Sequence, residues 1–115
     1  MKLRNFLRMH RRRWHFSQQE LAFLLGYLDQ SMIARLEQDE RTVTIASAHT
    51  CELVFGVKPR ELFPDLYEEI ENDISTRMCA MRDRLHQSAP TEKTLTKLKL
   101  VEEALRKIAS ANQET

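Results

Sequence analysis

Residues 1 to 15 hold Lys2, Arg4, Arg8, Arg11, Arg12 and Arg13 with no acid among them, an arrangement that can supply contacts to phosphate. A solvated helix face is the plainer reading of such a run, because the net charge of the whole chain is only +1. Other chemistry is poorly provided for. Cys51 and Cys79 lack CxxC spacing and the four histidines are scattered, so neither a zinc site nor a disulfide framework is encoded. The expectation is two reduced thiols that are partly core. His49 has no second ligand one turn away, which makes it a packed or exposed side chain rather than a metal ligand. No paired nucleophile and base and no phosphate-cradling glycine loop is present, so the reading assigns no catalytic residue, metal, cofactor or small-molecule ligand.

The stretch best equipped to position side chains runs from Ser17 to Glu37. Ser17 can cap a helix, Glu20 can reach back to it, and Phe16 can staple onto Leu21. Leu21, Ala22, Leu24 and Leu25 form an apolar face, and Gly26 ends the helix where a left-handed residue is cheapest. Asp29 can then cap a second helix with Ile33 and Leu36 inward. That leaves Gln30, Ser31, Ala34 and Arg35 on a small polar face outward. Helices this short need neighbours.

The flanks provide them. Leu3, Phe6, Leu7 and Trp14 recur at helical spacing, with His10 on the same face, which predicts helix 1 over residues 3 to 13. Gln38 to Val43 reads as a polar loop. Thr44 caps a further helix whose Ile45, Ala48, Leu53, Val54 and Phe55 face the core and which Gly56 ends. Pro59 opens a short helix closed by Leu62 and Phe63 before Pro64 interrupts it. From Leu66 to about Ser88, Leu66, Ile70, Ile74, Met78, Met81 and Leu85 follow one helical face, with acids clustered early. Thr91 or Thr94 starts a last helix with Leu98, Val101, Leu105 and Ile108 inward, and residues 112 to 115 are expected to fray. With only two glycines and three prolines and no strand-like alternation, the fold class is all-α. The longest uncharged apolar run, Leu21 to Leu28, has eight residues and contains Gly26, far short of the roughly 20 needed to span a bilayer. No secretory signal is supported, and the expected location is the cytoplasm.

From Arg11 through Phe63 the spacing resembles the Xre-type, lambda-repressor-like helix-turn-helix family, over about residues 3 to 65. Ser17, Gln18, Glu20, Leu21, Ala22 and Gly26 match the family pattern, followed by Ile33, Arg35 and Glu37, then Arg41, Gly56, Leu62 and Phe63. The resemblance implies a five-helix DNA-binding domain in residues 1–65, and the apolar spacing beyond it adds two amphipathic helices in 66–115. Helix 3, about residues 29–38, would enter the major groove, with helix 2 across the backbone. Gln30, Ser31, Ala34 and Arg35 would then face bases, glutamine suiting adenine and arginine guanine. Gln18, Arg12, Arg13 and Arg41 would meet phosphates. Arg11 and Glu37 stand where the family has a structural ion pair.

Two departures stand out. Gly26 to Glu37 is one residue longer than in phage repressors, and Asp39 and Glu40 replace the glycine and basic residue common in the loop after helix 3. Carboxylates there would repel phosphate, so the loop must tilt away or binding weakens. The expected function is a sequence-specific transcriptional regulator bound to double-stranded DNA as a homodimer. The last two helices would form either an intrachain hairpin or the dimer seam. The alternative is a protein-interaction adaptor or antitoxin-type partner that keeps the fold with weak or no DNA binding.

Overall fold

Each helix of the computed structural model, which describes residues 2–113, can be traced to a local start or stop signal. The elements are α1 (Leu7–Arg13), α2 (Gln18–Leu25), α3 (Ser31–Glu37), α4 (Ile45–Phe55), α5 (Pro59–Leu62), α6 (Pro64–Gln87) and α7 (Glu92–Gln113). No strand occurs among the described residues, and no described helix is long and apolar enough to cross a membrane.

A full capping box starts α2: Ser17 Oγ accepts from Glu20 N at 3.0 Å, and Glu20 Oε1 accepts from Ser17 N at 2.9 Å. Gly26 stops it at φ +81°, where Gly26 N reaches Phe23 O and Tyr27 N reaches Ala22 O, the paired bonds of a Schellman turn. Thr44 Oγ1 caps α4 by accepting from Ser47 N, and Gly56 ends it at φ +69°. Pro64, read from the sequence as an interruption, instead opens α6. A proline in the first turn loses only an N–H that has no helical acceptor anyway. Thr91 starts α7, its Oγ1 accepting from Thr94 N at 3.2 Å. The expected fraying of residues 112 to 115 falls partly on Asn112 and Gln113, which close α7, and partly on residues 114 and 115, outside those described.

Helix 1 is shorter than its periodicity predicts. Residues 2 to 6 are non-helical because partners far along the chain take their backbone groups. Leu3 N donates to Asp39 Oδ2 at 2.5 Å, Arg4 N to Asp65 Oδ2 at 2.7 Å, and Phe6 N to Leu62 O at 2.8 Å. Asn5 Oδ1 accepts from Leu7 N, supplying a start signal for α1. Trp14, placed on the core face by spacing, is instead 58% exposed at the end of α1.

The chain divides into two units, one ending at Tyr67 and the other starting at Glu68, so α6 begins in the first and continues into the second. In the first unit Leu7, Leu21, Ala22, Ile33, Leu36, Cys51, Phe55, Leu62 and Phe63 form one buried cluster fed by all five short helices. The face of α4 differs from the expected one: Ile45 and Leu53 point outward, at 90% and 72% exposure, while Ser47, Cys51 and Phe55 are buried. Burial of the Ser47 hydroxyl costs little because it shares a 2.6 Å hydrogen bond with Tyr27 Oη. In the second unit, Leu85 and Leu98 are the buried hydrophobic residues among those described, and His86 Nε2 stands 3.9 Å from Glu102 Oε1.

Candidate nucleic-acid interface

Packing holds one face of α3 inward and leaves the other outward. Ile33 and Leu36 sit in the core at 0% and 2% exposure, fixing the rotation of the helix. On a 3.6-residue helix that rotation puts Ser31, Ala34, Arg35 and the following Gln38 along one outward strip, with Gln30 at its flank. Gln30, Ser31, Arg35 and Gln38 are exposed and Ala34 is half-buried. Sequence reasoning leaves Gln38 out because it falls in the expected loop; its position three residues after Arg35 is the signal that could have found it.

Asp29 secures the start of α3. Its Oδ1 accepts from Ser31 N at 2.8 Å and also from the Ser31 hydroxyl, so Ser31 presents its remaining lone pair rather than its proton to the outside. Those hydrogen bonds from Ser31, side chain first and backbone second, hold the Asp29 carboxyl below the usual range, with a smaller contribution from the Arg35 charge.

The end of α3 is held by a charged clasp. Arg11 Nε donates to Glu37 Oε2 at 2.6 Å and Arg11 Nη2 to Glu37 Oε1 at 3.3 Å, with side chains only 10% and 3% exposed. Arg11 Nη1 also donates to Phe16 O at 2.9 Å, and Gln18 Nε2 donates to Glu37 Oε1 at 3.1 Å. The Glu37 carboxylate thus ties α1 and α2 to α3, and Arg11 adds the entry to α2. Gln18 therefore spends one amide proton inside the protein. Its other N–H, and the backbone N–H groups of Gln18 and Gln19 ahead of the capped Glu20 N, are placed to meet an outside oxygen.

The remaining arginines are placed differently from one another. Arg41 Nη1 lies 3.5 Å from Met32 Sδ, which sets its guanidinium beside the start of α3. Arg12 and Arg13 are exposed at the end of α1. Arg13, about 200° around that helix from Arg11, points away from the clasp.

Asp39 and Glu40 do not stand as bare carboxylates. Asp39 occupies the left-handed position (φ +57°) of a Schellman turn ending α3, with Asp39 N to Leu36 O at 3.3 Å and Glu40 N to Arg35 O at 2.8 Å. Aspartate tolerates that conformation better than most residues, and here its carboxylate also receives the Leu3 amide. Glu40 lies 3.7 Å from Lys2 Nζ. The N-terminal segment thus supplies a positive charge to Glu40 and an amide donor to Asp39.

Residues 7–62, from the first residue of α1 to the last of α5, match the family model described as Helix-turn-helix. This segment is a helix-turn-helix domain of the Cro/C1, lambda-repressor-like kind. Comparison with curated proteins and with solved structures gave no match. In the helix-turn-helix frame α2 and α3 are the paired helices, and Tyr27 to Gln30 form the turn between them. Within that turn Gln30 already has helical angles, at φ −70° and ψ −16°, and Asp29 provides the cap.

Proposed function

We propose that the chain is a sequence-specific DNA-binding transcriptional regulator that acts as a homodimer, with α3 entering the major groove. The observation that carries this is the outward strip of α3, polar along its length and locked in rotation by Ile33, Leu36 and the Arg11–Glu37 clasp. A groove-reading helix needs this rigidity, since base discrimination depends on side chains arriving at fixed positions. In this reading Ser31, Ala34, Arg35 and Gln38 face base edges and Gln30 flanks them, with arginine suited to guanine and glutamine to adenine. Gln18, Arg41, Arg12 and Arg13 meet phosphates, Arg41 being set beside the start of α3. The Leu3 amide on Asp39 and the Lys2 charge beside Glu40 offset part of the repulsion these carboxylates would otherwise add.

The test is selection of bound fragments from random DNA with the purified chain, followed by anisotropy titrations on the winning site. A two-fold symmetric motif is the expected result, with affinity falling steeply as salt rises. Arg35→Ala should relax preference at one base pair, a loss of about 1 to 3 kcal/mol in discrimination. Arg41→Ala should weaken all sequences alike and flatten the salt slope by about one counter-ion. No enrichment of any sequence, and no binding to mixed DNA at low salt, would overturn the reading in favour of a protein-interaction adaptor.

A further inference from the structure

Ile70, Ile74 and Met81 of α6 are 53%, 36% and 42% exposed, although they line one side of a well-formed helix. The more protected positions of this stretch, Ser75, Met78, Cys79, Arg82 and Leu85, lie to one side of it, Leu85 about 20° around the helix from Ile74. The exposed stripe is thus the outer margin of the apolar face whose inner margin carries the buried Leu85. An apolar stripe on a unit with so little buried surface needs a cover.

Charge along the same helix selects that cover. Glu69, Asp73, Arg77 and Arg84 all fall on one flank of the stripe, acids before bases. A parallel pairing of two copies would put this flank on opposite sides of the seam in the two helices, so its acids and bases would not meet. An antiparallel pairing sets the acidic half of each helix against the basic half of the other. With Ile70 against the partner subunit's Met81, the same register brings Asp73 to the partner subunit's Arg77 and Glu69 to the partner subunit's Arg84. The two-fold operation makes each of these pairs twice.

We propose that α6 pairs antiparallel with α6 of a second copy through Ile70, Ile74 and Met81, with Asp73 and Arg77 setting the orientation. This pairing rests on the dimeric reading above and gives it an interface. The experiment is sedimentation equilibrium of the full chain without DNA, on wild type, Asp73→Arg, Arg77→Asp and an equal mixture of the two variants, with helix content checked by circular dichroism. Wild type is expected to be dimeric at about 100 µM, a concentration that reveals even weak association. Each single variant places like charges opposite one another twice, and its dissociation constant should rise about tenfold or more. The mixture should return towards the wild-type value, because in each heterodimer both interface positions of one subunit carry arginine and both of the other carry aspartate. A monomeric wild type, single variants as tightly paired as wild type, or a mixture no tighter than its components would each overturn the pairing. A monomer that still selects a DNA sequence would leave the base-reading proposal standing, and a dimer that selects none would remove that proposal while leaving this one.

Discussion

Arg11 and Glu37 show how much of the domain hangs on single side chains. Because both are nearly sealed from water and Glu37 also receives Gln18, Arg11→Ala leaves a buried carboxylate with one neutral donor. A loss of about 3 to 5 kcal/mol is expected in urea denaturation, whereas Glu37→Gln, which removes the charge and keeps the shape, should cost less. Cys51 sits in the core at 0% exposure, and burial pushes its thiol up to about 11. The folded chain therefore keeps a proton that the unfolded chain gives up between about pH 9 and 11. Stability should be unaffected below that window and fall through it, by on the order of 2 kcal/mol. Denaturation of wild type beside Cys51→Ala across the window isolates this slope, which the variant should lack. That Cys51 is a reduced, partly core thiol was readable from the lack of CxxC spacing; its depth was not, since Ile45 and Leu53, which are exposed, were expected on the core face of that helix.

At the scale of elements, what the sequence made readable was whatever is encoded within four or five residues. The Ser17–Glu20 box, the Thr44 cap and the left-handed Gly26 and Gly56 each act on their own turn of helix, so the starts and stops of α2 and α4 were legible. Residues 3 to 6 were not, because the acceptors that keep Leu3 and Arg4 out of α1 lie 36 and 61 residues away. The end of α3 was likewise opaque: an aspartate in a left-handed turn is unusual, and its partner is the remote Leu3 amide. The outward strip of α3 was legible in most of its members because Ile33 and Leu36 alone define the inward side. Only Gln38, at the boundary between the expected helix and the expected loop, escaped. A Cβ added at Gly26 would meet nothing within 4 Å, so Gly26→Ala isolates the backbone cost of a left-handed residue. A loss of about 1 to 2 kcal/mol is expected in thermal melts, with Gly56→Ala alike.

For the molecule as a whole, the contrast between its two units predicts uneven unfolding. The first carries a nine-residue buried cluster, while the second holds Leu85 and Leu98. Far-UV circular dichroism in urea should therefore show two steps, the earlier one moving to higher urea as protein concentration rises if α6 pairs between copies. Trp14, the chain's one tryptophan, lies in the first unit and its fluorescence should follow the later step alone. A single coincident transition at every concentration would contradict this. The bond from Leu3 to Asp39, with Lys2 beside Glu40, bears on how the protein is handled. A bulky fusion at the N-terminal end would pull on the short strap that masks two carboxylates next to the reading helix, and so would appear as lost DNA affinity in a protein whose fold is intact. A purification tag therefore belongs at the other end of the chain, and a weak N-terminally tagged preparation should be cleaved and measured again before its DNA contacts are blamed.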